Sequence, residues 1–287
     1  MAKPFVNPFV SGQFLELRVD ALVSDGRGLG RHDGVVVLVE DALPGQLVRA
    51  RVAAVRKSLA EAALVEVLER SPDEQEPPCP HAGRCGGCSW QSLAYDRQLA
   101  WKERIVHDAL ERVGKVACPP MLPILSSPSE WGYRNKMEFA FGVSGDGGKA
   151  LGLRERGSRN IVEVTGCLLQ TPLTMRVLEA VRMLSNGAFH DLDGRFLVVR
   201  EPNAGGCFVE LIVGAGGSLE AGERFAAALR TEIPEVTGFA LSERLAPSDV
   251  AYGERALYAD GRLEERIGDV RLQMGHNAFF QVNTPAA

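Results

Sequence analysis

The feature that most restricts how this chain folds is a set of four cysteines, spaced Cys79-x5-Cys85-x2-Cys88 with Cys167 about 80 residues further on. Proline and glycine flank the first three in PPCPHAGRCGGC, so we expect a compact, non-helical loop in which the three sulfurs converge. The first ten residues, MAKPFVNPFV, lack the apolar stretch of a secretory signal, and six cysteines in such a chain do not suggest a disulfide framework. The pattern predicts a metal centre.

The spacing favours an iron–sulfur cluster and leaves zinc open. Structural zinc sites usually combine two C-x2-4-C knuckles, or one knuckle with a pair of histidines. This chain has one knuckle, Cys85–Cys88, and two single thiols, although His81 lies inside the loop and would allow a Cys3His zinc site. Three local cysteines and one remote cysteine are common in iron–sulfur ligation. A loop whose cysteines bind nothing is the third interpretation.

Length and composition indicate a globular chain of about two domains. Its 45% hydrophobic and 24% charged residues are ordinary for a soluble protein, and no apolar run approaches the roughly 18 residues of a membrane span. We expect a cytoplasmic protein with no membrane partner. The net charge of −5 does not indicate nucleic-acid binding, yet residues 95–160 carry eleven basic and eight acidic side chains. A local basic face is compatible with an acidic chain.

Residues 12–70 are predicted to form a small OB-like β-barrel. Four apolar or alternating runs, separated by SDGRGLGRHDG and DALPGQ, read as strands: residues 13–23, 34–40, 46–57 and 62–69. Such barrels often bind single-stranded nucleic acid, and a barrel serving only as a spacer is the alternative. Phe14 is the one aromatic residue in this segment, so Arg51, Arg56 and Lys57 would contribute more to binding than stacking would.

The rest of the chain predicts a mixed α+β domain. SPDEQEPP (71–78) has the composition of a linker, and an apolar stripe predicts a helix at about 96–113, ended by Gly114. Alternating and helical patterns follow: a hairpin of residues 136–143 and 150–156 joined by a turn at 144–149, helices at 173–185 and 219–231, and strands at 195–201, 207–214 and 235–243.

The order of these features resembles a known family. The barrel, the cysteine set, the run SSPSEWGYRNKMEFAFG (126–142) and the closing FFQVN (279–283) follow one another as in the uracil-5 RNA methyltransferases of the 23S ribosomal RNA type. The resemblance implies a TRAM domain at 12–70 and a central domain at 75–275. It implies that a [4Fe-4S] cluster is bound by Cys79, Cys85, Cys88 and Cys167. Residues 276–287 would then begin a Rossmann-like S-adenosylmethionine domain that is otherwise missing, so the chain would be truncated.

This resemblance also sets expectations for chemistry. Methylation of uracil C5 requires a thiolate that adds at C6 and a carboxylate that removes the C5 proton. The nucleophile and base of the family would lie beyond residue 287, and Cys118 and Cys207 have no evident activating partner and read as buried structural thiols. The chain alone is therefore expected to be inactive, and no catalytic residue is assigned within it.

Recognition of RNA is the expected role of the residues present. Arg56, Lys57, Tyr133, Arg134, Asn135 and Lys136 are predicted to contact RNA, because an aromatic ring beside cations and an amide can stack on a splayed base and bind phosphates. Gln281 resembles a family position that contacts S-adenosylmethionine. The expected partner is 23S rRNA, not DNA, and the expected state is a monomer. A non-catalytic RNA-binding adaptor stapled by zinc or an iron–sulfur cluster is the main alternative, and a small iron–sulfur electron carrier is a weaker one.

Overall fold

The computed structural model describes residues 7–144, 148–214 and 217–287, and the chain divides into two compact units. The first unit is Met1–Gly83 with Cys88–Ser126, and the second is Arg84–Gly87 with Ser127–Ala287. This division differs from the predicted one, because residues 88–126 group with the barrel and not with the α+β domain expected at 75–275. Residues 276–287, expected to begin a further domain, belong to the second unit.

The first unit contains a closed five-stranded barrel with strand order β1-β2-β3-β5-β4. Its inner face comes from period-two alternation, which buries Leu15, Leu17 and Val19 on the first strand and exposes the residues between them. The strands are β1 (Phe14–Leu22), β2 (Gly28–His32), β3 (Val35–Glu40), β4 (Leu47–Val55) and β5 (Leu59–Glu69). The predicted barrel is therefore confirmed.

One strand of the barrel, β2, lies in the glycine-rich segment that was predicted to be a connection. Glycine is needed there because neighbouring backbone comes very close. A Cβ at Gly30 would lie 2.3 Å from the Arg18 carbonyl oxygen, and one at Gly28 would lie 2.7 Å from the Ala42 carbonyl oxygen. The strand pairs antiparallel with both β1 and β3. A glycine in a strand often marks such a close approach.

The predicted helix after the cysteine loop is present as α1 (Tyr95–Asp108), followed by one π-helical turn, Ala109–Val113. The apolar stripe of α1 is less buried than expected, because no residue of the helix is fully buried. Within the first unit, Trp101 and Ile105 are half-buried against a small cluster formed by Leu22, Leu43 and Leu93.

The second unit is built on a seven-stranded mixed sheet with the order β12-β11-β10-β9-β6-β7-β8. Strands β10 and β11 run parallel and the other neighbours run antiparallel. The strands are β6 (Lys136–Val143), β7 (Lys149–Arg154), β8 (Ile161–Val162), β9 (Gly194–Arg200), β10 (Cys207–Val213), β11 (Val236–Glu243) and β12 (Arg255–Asp260), with a separate hairpin of β13 (Leu263–Ile267) and β14 (Val270–Met274). The predicted hairpin is confirmed as β6–β7, and residues 145–147 of its turn lie outside the described residues.

Two helices, α2 (Pro172–Asn186) and α3 (Leu219–Glu232), contribute to the larger core of this unit. Each begins at a hydroxyl cap: Thr171 Oγ1 accepts from the Thr174 N–H at 3.2 Å, and Ser218 Oγ accepts from the Ala221 N–H at 3.1 Å. A second apolar cluster includes Ala140, Val198 and Ile212 from β6, β9 and β10. In the part of the chain that the structure describes, no helix is long and apolar enough to cross a membrane.

Candidate functional site

The predicted RNA-contact run, Tyr133 to Lys136, lies where the chain enters β6 in the second unit. Tyr133, Arg134 and Asn135 line a pocket of about 350 Å³. The other lining residues come from the segment before the run, the start of α2, the loop after β9 and the end of the chain: Gly132, Thr171, Leu173, Glu201, Pro202, Asn203, Gly205, Gly206, Thr284 and Pro285. Lys136 is the first residue of β6 and is not part of this lining.

Backbone hydrogen bonds hold the run in place on both sides. The Arg134 N–H donates to the Leu169 carbonyl at 3.0 Å, and the Asn135 N–H donates to the Val282 carbonyl at 2.9 Å. The Asn135 carbonyl accepts from the Glu201 N–H at 2.8 Å. The run is thus fixed between β9 and the closing FFQVN segment, and its side chains have defined positions at the pocket.

Asn135 braces the closing segment with its side chain. Its Nδ2 donates to the Gln281 carbonyl at 3.0 Å and to Thr284 Oγ1 at 2.8 Å, and it lies 3.5 Å from Glu265 Oε2. Glu265 is almost completely buried, and Thr284 Oγ1 also donates to it at 3.2 Å. An RNA contact by Asn135 stays a prediction, and its amide hydrogens already have acceptors within the chain.

The two cations of the run differ in whether a carboxylate neutralises their positive charge. Lys136 Nζ pairs with Glu138 Oε1 at 2.5 Å. Arg134 is half-buried, makes no ion pair with any described residue, and its buried Nε has no hydrogen-bond partner among them. Buried donors in proteins are normally satisfied, so Arg134 is a donor that an incoming acceptor such as phosphate would satisfy.

The far wall of the pocket carries a carboxylate at a helix start. Glu201 accepts from the hydroxyls of Thr171 and Thr174, which begin α2. A negative charge is stabilised at a helix N-terminus, so this carboxylate is compensated within the protein. The pocket therefore combines one aromatic ring and one uncompensated guanidinium with amide and hydroxyl groups, the groups that contact an unstacked nucleotide.

Of the three predicted barrel cations, Arg56 and Lys57 lie in the turn between β4 and β5, and Arg51 lies on β4. Arg56 Nε lies 3.3 Å from Glu61 Oε1, whereas Lys57 is exposed and has no ion pair with the residues that the structure describes. Phe14 on β1 stands opposite Arg51 on β4, and the Phe14 side chain is 59% exposed. An exposed aromatic ring opposite an exposed arginine has the composition of a stacking surface. The sequence analysis named both residues but did not pair them, although the alternation of β1 places Phe14 outward.

The four cysteines of the predicted cluster are divided between the units. Cys79 and Cys88 belong to the first unit, and Cys85 and Cys167 belong to the second. All four are partly exposed, and the Gly87 N–H donates to Cys85 Sγ at 3.4 Å. Among the described residues, no three His, Cys, Asp or Glu side chains form a group that could hold a metal ion. A set of four thiols has the chemistry that iron–sulfur clusters and zinc require, so ligation by these residues stays a prediction.

The two other cysteines have different surroundings. Cys207 is completely buried on β10, and burial raises the pKa of its thiol strongly, so it is an inert structural thiol as expected. Cys118 is partly exposed, so the expectation that it is buried is wrong. It follows the helix in a proline-rich stretch with no secondary structure.

Comparison with known proteins identifies a TRAM domain at residues 8–65. A protein of Nitratidesulfovibrio vulgaris described as an uncharacterized RNA methyltransferase is 44% identical over 290 residues, which cover 97% of this chain and 62% of that protein. Proteins of the same description from Synechocystis sp. and Thermosynechococcus vestitus are 31% and 32% identical over 96% of this chain, and the matches cover 62% and 63% of their lengths.

A solved structure shares the fold. The crystal structure of the Pyrococcus abyssi tRNA (uracil-54, C5)-methyltransferase in complex with S-adenosyl-L-homocysteine matches with a TM-score of 0.68, covering 94% of this chain and 62% of that one. The two sequences are 23% identical, so this likeness shows the architecture alone.

These matches confirm the predicted TRAM domain. They also agree with the predicted resemblance to RNA methyltransferases. The chain spans about 62% of the length of the Nitratidesulfovibrio relative, while 97% of the chain itself is matched. Neither the expected truncation before a catalytic domain nor the expected inactivity is confirmed. The chain carries a TRAM domain and, over nearly its whole length, is similar to proteins described as RNA methyltransferases.

Proposed function

We propose that this protein acts in the S-adenosylmethionine-dependent methylation of uracil C5 in RNA, with 23S rRNA as the substrate. The observation that carries the proposal is the 44% identity to an RNA methyltransferase over 97% of the chain, together with the TRAM domain at its start. Uracil as the target base is inferred from the resemblance of the cysteine set and of residues 126–142 to the uracil-5 RNA methyltransferases, and the chain shares its fold with a tRNA (uracil-54, C5)-methyltransferase. The described residues are assigned to binding, because Cys207 is buried with a raised thiol pKa and Cys118 makes no hydrogen bond or ion pair with another described residue.

Binding of RNA is assigned to two surfaces, one in each unit. On the barrel, Lys57 supplies an uncompensated positive charge, and Phe14 beside Arg51 supplies a ring and a guanidinium for stacking. In the second unit, Arg134 and Tyr133 face the pocket. Phosphate contacts of this kind make binding weaken with salt, and each lost contact lowers the slope of log K against log salt by about one.

The test uses the full chain and a fluorescently labelled single-stranded RNA that contains uridine. We expect Lys57→Ala and Arg134→Ala each to weaken binding about three- to tenfold at about 100 mM salt and to reduce the salt slope by about one. Arg18→Ala is the matched control, because Arg18 is exposed on the barrel and already paired with Glu69. Salt slopes equal to that of the control would contradict the assignment of these residues.

S-adenosylmethionine would be contacted by Gln281, whose side chain is exposed in the closing segment. Equilibrium binding of the cofactor to the wild-type chain and to Gln281→Ala tests this assignment. A Kd that the substitution does not change would remove Gln281 from the cofactor site.

A [4Fe-4S] cluster would be held by Cys79, Cys85, Cys88 and Cys167. When all four ligands are thiolates, the cluster has no open iron position and supplies a covalent tie between distant parts of the chain. Anaerobically purified protein is expected to contain iron and acid-labile sulfide and to absorb broadly in the visible range. Colourless protein with one zinc would replace the cluster with a zinc site.

An RNA-binding adaptor without methyl transfer is the second candidate. The observation that favours it is that Cys207 is buried and Cys118 makes no hydrogen bond or ion pair with another described residue. Transfer of tritium from labelled S-adenosylmethionine to RNA distinguishes the two, because an adaptor binds RNA and leaves it unlabelled.

A further inference from the structure

One face of the large sheet buries three polar side chains in an otherwise apolar setting. Glu210 on β10 is 2% exposed, Ser242 on β11 is 0% exposed and Arg200 on β9 is 5% exposed. The strand register makes them diagonal neighbours, because Glu210 lies opposite Val198 and Ser242 lies opposite Ile212. Diagonal neighbours on one face of a sheet are within reach of long side chains.

The hydrogen-bonding capacity of this group is incompletely used within the described chain. Glu210 Oε1, Ser242 Oγ and Arg200 Nε are buried and have no hydrogen-bond partner among the described residues. Gly253 lies against Glu210 and Ser242, since a Cβ there would be 2.7 Å from Glu210 Oε1 and 2.3 Å from Ser242 Cβ. A buried carboxylate requires a positive partner, because leaving it uncompensated is strongly unfavourable.

The partners of this group lie at residues 276–278, directly before the FFQVN segment. His276 Nε2 lies 3.8 Å from Glu210 Oε1, and Arg200 Nη2 donates to the Ala278 carbonyl at 2.7 Å. Asn277 Nδ2 donates to the Gly253 carbonyl at 2.9 Å. Two of these residues, His276 and Ala278, contact the polar group, and Asn277 between them is bonded to the Gly253 backbone; the segment then continues to Gln281 and to the contacts with Asn135.

We propose that Glu210 is a positioning residue that, through His276 and together with Arg200, anchors residues 275–283 to the sheet. The proposal does not require that the protein methylates RNA. If Gln281 contacts the cofactor as proposed above, the anchor also sets where that side chain stands.

Amide hydrogen exchange of the full chain tests the anchor directly. The Asn135 N–H, bonded to the Val282 carbonyl, and the Ala278 N–H, bonded to the Gly275 carbonyl, report whether the segment is attached. After correction for intrinsic rates, we expect both to exchange about tenfold faster in Glu210→Gln and in His276→Gln than in wild type. The matched control is Glu223→Gln, the same chemical change at an exposed position of α3.

A further measurement separates an anchor from general destabilisation. His276→Gln lies outside the sheet, so it keeps the proposal testable if Glu210→Gln does not fold. The double variant should exchange no faster than the more affected single variant, since both changes remove one interaction. Exchange rates like those of Glu223→Gln, or a double variant that exchanges faster than either single variant, would overturn the proposal.

Discussion

The Asp260 carboxylate links β12, the edge strand of the large sheet, to α3 and to the neighbouring strand β11. It accepts hydrogen bonds from both Nη atoms of Arg230 on α3, from the Tyr258 hydroxyl and from the Phe239 N–H at 3.1 Å. The Arg230 guanidinium contributes most to lowering the pKa of the Asp260 carboxyl, from 3.8 to about 2, against the opposing effect of burial. We predict that Asp260→Asn destabilises the second unit at neutral pH.

The magnitude follows from this pKa difference. At about 1.36 kcal/mol per pKa unit, the shift corresponds to about 2.4 kcal/mol. The Asp260 side chain is 30% exposed, so screening by solvent reduces this to about 1–2 kcal/mol. Because the folded-state pKa is depressed, the stabilisation is complete above the unfolded value of 3.8 and is lost as pH falls through about 2.

The measurement is urea unfolding followed by far-UV circular dichroism at pH 7, 5 and 3. The free energy of unfolding of Asp260→Asn should be about 1–2 kcal/mol below wild type at pH 7 and 5, and this difference should fall by roughly half near pH 3. Asp191→Asn is the control, because Asp191 is exposed and makes no side-chain hydrogen bond or ion pair with a described residue. Equal stability of the two variants at pH 7, or a difference that persists undiminished at pH 3, would refute the reasoning.

Three further predictions follow from burial and close packing. Cys207 should resist iodoacetamide in the folded protein while Cys118 is alkylated, which mass spectrometry of the digested protein checks, and rapid native labelling of Cys207 would contradict its burial. Phe239→Ala should reduce the free energy of unfolding by about 3–5 kcal/mol, because the ring is completely buried and stacks on Phe225 at 5.6 Å; a loss below about 1 kcal/mol in urea unfolding would contradict it. Gly30→Ala should destabilise the barrel by about 1–3 kcal/mol in the same assay, since its Cβ would collide with the backbone of β1, and wild-type stability would show that the strand can move apart.

The barrel could be predicted from the sequence because its strands are rich in β-branched and apolar residues. β1 and β4 alternate between buried and more exposed positions, whereas β3 is a continuous apolar run between turn residues. β2 could not be found in this way. Its sequence, GLGRH, holds two glycines that serve the close approach of neighbouring chains, and in a single sequence such glycines are indistinguishable from a turn.

The division into units was less predictable than the elements. Composition predicts a linker at 71–78. The half-buried face of α1, however, packs against Leu22, Leu43 and Leu93, and the first two of these belong to the barrel. An amphipathic pattern shows that a helix has a partner without showing which one. The assignment of residues 88–126 therefore depended on contacts that no local pattern contains.

The candidate site shows the same limit. The run Tyr133–Lys136 marks the pocket, because an aromatic residue, two cations and an amide in four positions are a distinctive combination. Its partners are remote: Asn135 contacts Glu265 and Thr284, which lie 130 and 149 residues further along the chain. Only the folded chain shows that the amide braces the closing segment while Arg134 keeps an unsatisfied donor at the pocket.

Strand β10 explains why the closing segment must be part of the second unit. All seven residues of CFVELIV are buried, so both faces of the strand are covered, and the single polar residue Glu210 has no solvent-exposed side to occupy. A carboxylate in that position requires cover that brings its own polar groups, and residues 276–278 provide them as an imidazole, an amide and a backbone carbonyl. Residues 276–278, which precede the FFQVN segment, therefore cover Glu210 whether or not that segment contacts a cofactor. A substitution at Gln281, whose side chain takes no part in these contacts, should affect ligand binding alone, whereas one at His276 should also loosen the segment.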